Sequence, residues 1–161
     1  MITIRRFASE DQDQIRDLIS GIMNEEYTEA APAYPTTDID NIPAAYGGLG
    51  EAFFVATQDG RIIGTVAIKK EDDRIALLRR LFVSPDHRKK QIGIKLIDHA
   101  LQFCGDVGYR EIVFKTTSQM VSAVKVCEKK GFVQRAKINL GSLELLKFSL
   151  SLRNGHKAPT S

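Results

Sequence analysis

Residues 77–101 read LLRRLFVSPDHRKKQIGIKLIDHAL and decide the fold. The apolar run that ends before Pro85 predicts a buried strand, and the residues after about Gln91 carry apolar side chains at helical spacing. The basic loop between them contains Arg88, Lys89, Lys90 and then Gly93. No acidic residue follows Asp86 in this loop. Because a helix N-terminus offers unpaired N–H groups and the positive end of the helix dipole, the stretch predicts either a site for a phosphate-bearing ligand or a solvated basic corner.

The composition is that of an ordinary globular protein. The chain has 161 residues, of which 43% are apolar and 27% are charged, and this favours a single domain. We expect that domain to cover residues 1–152 and a polar tail to cover residues 153–161. The net charge is only +3, and the excess of cations is local: it lies at Arg79, Arg80, Arg88, Lys89, Lys90 and Lys95. A local cluster favours one anionic small molecule over a nucleic acid, which usually needs an extended basic stripe.

The sequence also bears on compartment and metal content. No apolar run approaches the roughly 18 residues that span a membrane, and MITIRRF at the N-terminus lacks the apolar region of a signal peptide. We therefore expect a cytoplasmic protein with no membrane partner. Cys104 and Cys127 fall in predicted helices, and no cysteine or histidine cluster has metal-ligand spacing, so we expect no metal site. The sequence leaves the oligomeric state open, a homodimer included.

The periodicity of apolar residues predicts the order β, α, a loop with one short helix, β, β, β, α, β, α, β, β. This order is typical of an α/β domain with a mixed central sheet of six to seven strands and helices on both faces. Because β–α–β crossovers are right-handed, the strands Ile75–Val83 and Glu111–Thr116 are expected to be parallel. The long segment Glu25–Gly50 is expected to form a packed lid, since it carries the aromatic residues Tyr27, Tyr34 and Tyr46.

The element order, the RKKQIG loop at 88–93 and the sequence EKKGF at 128–132 together resemble the GNAT N-acetyltransferases. The similarity extends from Ile2 to about Leu152. Its most specific part is LFVSPDHRKKQIGIKLI at 81–97, where the family has a strand, a proline and then Arg-x-x-Gly-x-Gly or Arg-x-x-Gly-x-Ala. The resemblance implies an enzyme that moves an acetyl group from acetyl-CoA to a primary amine of a small molecule or peptide.

The resemblance also implies how the cosubstrate acetyl-CoA is held. Its pyrophosphate would lie on the backbone N–H groups of Lys89–Ile94, and the strand at Leu81–Val83 would diverge from the strand that contains Val113. The pantetheine arm would then pair with the open backbone like an added strand, and an N–H near Val83 would stabilise the thioester oxyanion. The implied cofactor-binding residues are Leu81, Phe82, Val83, Arg88, Lys89, Lys90, Gln91, Ile92, Gly93 and Ile94.

The chain departs from the family pattern in three places. Gln91 stands where the first loop glycine is usual, which costs on the order of 1 kcal/mol if the backbone there needs a positive φ, or shifts the loop slightly if only a small side chain is needed. Cys127 replaces a tyrosine thought to protonate the CoA thiolate, and Met120 replaces a common asparagine. Leu77 and Leu78 occupy the place of a common glutamate. Cys127 is thus the candidate general acid, against the simpler interpretation that it packs in the core.

The remaining roles stay open in the sequence. The candidate bases are Glu25, Glu26, Glu29, Glu51 or a chain of water molecules. The tyrosines Tyr27, Tyr34 and Tyr46 would either line the acceptor pocket or anchor the lid to the core. Since the usual tyrosine and glutamate are missing, the alternative function is an acyl-CoA-binding sensor or partner module without catalytic activity. Nucleic-acid binding is not expected, because no basic strand carries interleaved aromatic residues.

Overall fold

The computed structural model describes residues 1–27 and 36–152 of the chain. The helices in these ranges are α1 (Gln12–Glu26), α2 (Thr37–Asp40), α3 (Ile42–Tyr46), α4 (Ile92–Val107) and α5 (Val121–Lys129), with 3-10 turns at Ser9–Asp11 and Pro85–Lys90. The strands are β1 (Ile2–Arg6), β2 (Ala52–Gln58), β3 (Arg61–Lys70), β4 (Ile75–Val83), β5 (Glu111–Thr117), β6 (Val133–Leu140) and β7 (Leu143–Ser151). None of these helices is long and apolar enough to cross a membrane.

The strands form a mixed seven-stranded sheet in the order β1-β2-β3-β4-β5-β7-β6, which confirms the predicted α/β architecture. β4 and β5 are parallel, as the crossover rule predicts, and the other neighbours are antiparallel. The β4–β5 ladder runs from Ile75 opposite Glu111 to Leu78 opposite Phe114 and stops there. Both strands continue beyond this point, so a space opens between their ends, which we call the β4–β5 cleft.

A β-bulge lies on β4 just beyond the last pair with β5. Thr65 of β3 is opposite Phe82, while Ala67 is opposite Arg79, so β4 carries one extra residue between these pairs. Arg80 takes up the irregularity with a φ of +55°. The Thr65 Oγ1 hydroxyl donates to the Arg80 carbonyl over 2.7 Å in a buried position. A bulge bends and twists its strand, and this one lies where β4 parts from β5.

Two hydrophobic layers cover the sheet. On one face α4 buries a stripe spaced for a helix, which consists of Leu96, Ile97, Ala100, Leu101 and Cys104. On the other face α1, α2 and α3 bury Ile15, Ile19, Ile39 and Ile42. α4 lies close to β3 at Gly64, where an added Cβ would come within 2.9 Å of Leu96 Cδ1 and 3.1 Å of the Phe82 carbonyl oxygen. This close approach places the start of α4 next to the end of β4.

Three local predictions need correction or fall outside the described residues. α1 extends through Glu26, so the segment predicted to be a lid from Glu25 begins inside a helix, and its second half contains two short helices instead of one. α4 runs past Gly105, which is buried within the helix, and ends before Gly108, whose φ is +101°. Residues 28–35, with Tyr34 and Glu29, and the predicted tail 153–161 lie outside the described ranges.

Candidate active site

A pocket of about 90 Å³ lies at the β4–β5 cleft. The end of β4, the start of α4, the side of α5 and the residue that follows α1 form its walls. The lining residues are Tyr27, Leu81, Phe82, Val83, Arg88, Gly93, Met120, Ser122, Ala123 and Val126. The structure thus brings together five of the residues expected to bind the cofactor and one of the three tyrosines expected at the acceptor pocket.

The end of β4 presents open backbone to this cleft. The Ser84 N–H donates to the Ile63 carbonyl of β3 over 2.7 Å. Backbone groups alternate in direction along a strand, so Val83 and Leu81 direct theirs away from β3 and toward the cleft. The Val83 carbonyl accepts from Arg88 Nε over 3.1 Å. A hydrogen bond from this side confirms the orientation and leaves the Val83 N–H as a donor facing the cleft.

The start of α4 supplies a second set of donors. Its first i to i−4 hydrogen bond runs from the Lys95 N–H to the Gln91 carbonyl over 3.2 Å. The N–H groups of Ile92, Gly93 and Ile94 therefore lie at the open end of the helix, where no acidic side chain occupies the first turn. Together with the helix dipole, these groups favour an anion.

Gln91 and Gly93 make this helix start possible in different ways. Gln91 has a φ of +59°, so the first of the two alternatives for this position applies, and the glutamine is strained by about 1 kcal/mol relative to glycine. At Gly93 an added Cβ would lie 3.3 Å from Val126 Cγ2 and 3.8 Å from Val83 Cγ2. The missing side chain lets α5 and the end of β4 approach the start of α4.

Arg88 has carboxylate and carbonyl partners within the chain. Its Nη1 and Nη2 donate to Glu26 Oε1 and Oε2 over 2.6 and 3.0 Å, and its Nε binds the Val83 carbonyl. The guanidinium therefore joins the end of α1 to the end of β4, and its charge is balanced before any ligand binds. Lys90 is exposed in the same loop. Anion binding at this site would rest on the helix N–H groups more than on the side chain of Arg88.

A second arginine of the basic cluster is buried, which the sequence did not indicate. Arg80 donates through Nε to Asp38 Oδ2 over 2.8 Å and through Nη2 to Asp38 Oδ1 over 2.5 Å. The Tyr46 hydroxyl donates to the same Oδ2 over 2.5 Å. Burial alone would raise the pKa of Asp38, but the hydrogen bonds from Arg80 and Tyr46 outweigh it and lower that pKa. The expected anion-binding excess of charge at Arg80 is thus neutralised within the chain.

The cysteine expected as general acid packs in the core. Cys127 is fully buried in the same hydrophobic cluster as α4 and is absent from the pocket lining. Burial raises the pKa of its thiol to about 12, and the negative charge of Glu128 adds to this shift. The geometry favours a packing role for Cys127. A catalytic role stays a prediction, since Cys127 does not line the pocket.

The other candidate residues lie in distinct surroundings. Glu51 accepts from the Gly48 and Lys70 N–H groups and pairs with Lys69 Nζ at 3.2 Å, so it holds the lid segment to β3. Glu26 pairs with Arg88, and Glu25 is exposed. Within residues 1–27 and 36–152, no carboxylate or histidine lines the pocket.

The two described tyrosines of the lid prediction have different positions. Tyr27 lines the pocket, and burial, with the nearby charge of Glu26, raises the pKa of its hydroxyl. Tyr46 of α3 is buried and packs edge to face on Phe53. Tyr46 therefore anchors the segment, whereas Tyr27 contributes to the pocket wall. The wall formed by α5 is not among the site residues predicted from the sequence.

Comparison with known proteins places these features in a family context. A family model described as "Acetyltransferase (GNAT) family" matches residues 14–132. N-acetyltransferase 8 of Homo sapiens is 30% identical over 112 residues, which cover 66% of this chain and 49% of that protein. N-acetylaspartate synthetase of Xenopus tropicalis is 35% identical over 98 residues, covering 60% of this chain and 36% of that protein. The match spans about half of these curated relatives or less.

Solved structures share the fold over nearly the whole chain. An acetyltransferase of the GNAT family from Staphylococcus aureus Mu50 superposes with a TM-score of 0.82 at 23% identity, covering 95% of this chain and all of that one (100%). The protein yncA from Salmonella typhimurium, solved with its cofactor acetyl-CoA, has a TM-score of 0.80 at 21% identity and is covered to 99%, as is this chain. At these identities the likeness shows the fold alone.

The strain at Gln91 gives the first testable prediction. Gln91→Gly is expected to stabilise the protein by about 1 kcal/mol, because glycine adopts the positive φ without a Cβ clash. Gln91→Ala is the matched control, since it removes the same side chain but keeps the Cβ. Urea unfolding at equilibrium measures both. Equal midpoints for the glycine and alanine variants would show that the backbone at this position is not strained.

Proposed function

The chain belongs to the GNAT acetyltransferase family, and we propose that it transfers the acetyl group of acetyl-CoA to a primary amine of a small molecule or peptide. The observation that carries this proposal is the β4–β5 cleft beside the start of α4. The cleft combines open strand backbone at Leu81 and Val83 with open helix N–H groups at Ile92–Ile94. A ligand with a phosphate group at one end and amides along an extended arm matches both.

The cosubstrate fits these groups in a definite direction. The pyrophosphate of CoA would accept hydrogen bonds at the start of α4, where the dipole also favours negative charge. The amides of the pantetheine arm would pair with the backbone of Leu81 as an added strand, which leaves the Val83 N–H for the thioester. Acetyl-CoA supplies an acetyl group that is already activated as a thioester. The complex of yncA with acetyl-CoA supports this choice of cosubstrate at the level of the fold.

The proposed reaction is direct attack. The amine nitrogen forms a bond to the thioester carbonyl carbon, the carbon–sulfur bond breaks, the sulfur leaves as a thiolate and the proton lost by nitrogen passes to water. The Val83 N–H would donate to the carbonyl oxygen as it gains negative charge. Because a thiolate is a good leaving group, the reaction does not depend on an acid, which agrees with the burial of Cys127.

The residues of the pocket wall also bear on the protonation state in which the amine binds. No carboxylate or imidazole of the described chain lines the pocket, so the amine would enter neutral or lose its proton to a water molecule. The rate should then rise with pH until the pKa of the acceptor itself is passed. This dependence is a property of the acceptor and not of a protein side chain.

Two departures from the family pattern favour one other candidate function. A protein that binds acyl-CoA but has lost the groups for transfer would act as a sensor or partner module. The buried thiol at Cys127 and the leucines at Leu77 and Leu78 are the observations on its side. A cytoplasmic location, a homodimer and the lack of nucleic-acid or membrane partners stay predictions from the sequence.

Release of free CoA thiol separates the two functions. With acetyl-CoA at fixed concentration and a panel of primary amines, the enzyme should release thiol in proportion to acetylated amine, faster at higher pH. Cys127→Ala should keep the rate within about threefold, because the thiol packs away from the pocket. Binding of acetyl-CoA with no release for any amine would instead support the sensor. A loss above about 100-fold in Cys127→Ala, with the fold intact, would assign Cys127 as the acid.

A third prediction concerns Arg88. Arg88→Gln should weaken CoA binding about tenfold in calorimetry, because the arginine holds the Val83 carbonyl and the end of α1 at the mouth of the pocket. Lys115→Gln is the matched control, since this exposed cation lies on β5 away from the pocket lining. The affinity should also fall as salt is added. Equal affinities in the two variants would show that the contacts of Arg88 with Val83 and Glu26 do not support CoA binding.

A further inference from the structure

We propose that Asp38, Arg80 and Tyr46 are positioning residues, which hold the bulge of β4 so that the backbone of Leu81–Val83 points correctly into the cleft. This inference rests on the proposed acetyl transfer and deepens it. None of the three residues lines the pocket, so their effect would act through the shape of β4.

The three side chains form a hydrogen-bonded cluster with little exposure to solvent. The side chains of Arg80 and Asp38 are 4% and 10% exposed. The two nitrogen–oxygen contacts between them fix the plane of the guanidinium as well as its distance, and the Tyr46 hydroxyl binds the same carboxylate. If Arg80 lost this carboxylate, its buried charge would be uncompensated. The ion pair between Arg80 and Asp38 is therefore kept in the folded protein.

The cluster holds Arg80, whose backbone conformation is strained. Arg80 has a positive φ, which a residue with a Cβ adopts only when its surroundings compel it. Two contacts hold it from opposite ends: Thr65 binds its carbonyl from β3, and Asp38 binds its side chain from α2. Leu81 follows directly, and the cleft-facing groups of Leu81 and Val83 lie within the next three residues. A rotation of the backbone at Arg80 would therefore displace the N–H groups of Leu81 and Val83 that would face the thioester.

The cluster also connects the segment predicted to be a lid with β4. Asp38 belongs to α2 and Tyr46 to α3, and Tyr46 packs on Phe53 of β2. The segment that would cover the acceptor and the strand that would hold the thioester thus share one buried contact. Their relative position is set before either ligand enters.

The chain contains a matched ion pair that serves as a control. Arg5 binds Asp11 in the same two-pronged manner, with contacts of 2.7 and 3.0 Å, and Asp11 is 3% exposed. This pair joins β1 at the edge of the sheet to the turn before α1, away from the cleft. The Arg5 side chain is 42% exposed, so Asp11→Asn should cost less stability than Asp38→Asn and should have no effect on transfer.

The experiment measures Asp38→Asn, Tyr46→Phe and Asp11→Asn by two readouts: kcat and KM for acetyl transfer, and amide hydrogen exchange of residues 79–83. In Asp38→Asn we expect kcat to fall at least tenfold and exchange to speed up at least tenfold, since small misplacements of reacting groups cost up to about 100-fold. In Tyr46→Phe, kcat should fall about threefold and the amide exchange of residues 79–83 should speed up about threefold. Asp11→Asn should change neither beyond about twofold.

The outcomes decide between positioning and plain stability. If Asp38→Asn and Tyr46→Phe match Asp11→Asn in kcat and in exchange of residues 79–83, the positioning role is wrong. If Asp38→Asn does not fold, Tyr46→Phe alone decides, because it removes a single hydroxyl. If the unmodified protein binds acetyl-CoA but acetylates no amine, the proposed function fails, while the exchange rates still show whether the cluster holds the bulge.

Discussion

β4 cannot stay paired with β5 beyond Leu78, and the rest of the site depends on this loss of pairing. A strand buried in a sheet normally satisfies its backbone on both sides, so the groups of Leu81 and Val83 on the β5 side need another partner. The bulge at Arg80 bends β4 at this point, and Gly64 lets α4 approach the end of the strand. The fold thereby leaves an open strand edge next to an open helix start, and we propose that these two features hold the cosubstrate.

Charge is used in this site mainly to hold the protein together. Arg80 is balanced by Asp38, and Arg88 by Glu26, so two cations of the basic cluster have carboxylate partners within the chain. We propose that recognition of an anion then relies on the N–H groups of Ile92–Ile94, which follow the positive φ of Gln91 at the start of α4. Such donors discriminate by geometry, since backbone groups cannot rearrange as a lysine side chain does.

Periodicity and the handedness of crossovers were enough to predict the order of elements, the mixed sheet and the parallel pair β4–β5. The phosphate interpretation of the loop at 88–93 followed from its residues, whereas the cleft and the identity of the cosubstrate came from resemblance to a family. The partners of Arg80 and Arg88 were not predictable in this way, because they lie 42 and 62 residues away and leave no local pattern. One signal was available: the two successive arginines at 79 and 80 interrupt the alternation of β4, as a bulge does. The strain at Gln91 was stated only as a condition, since φ cannot be read from a residue name.

The most direct test of this account is a titration of the isotope-labelled protein with CoA, followed by the amide NMR signals. The account predicts saturable shifts concentrated at Leu81 and Val83 on β4 and at Ile92–Ile94 on α4, because these N–H groups face the cleft. The amides of the edge strand β6, from Val133 to Leu140, should stay unchanged and serve as the internal reference. Shifts that spare Val83 and the start of α4, or that appear equally along β6, would contradict the claim that the cleft is the binding site.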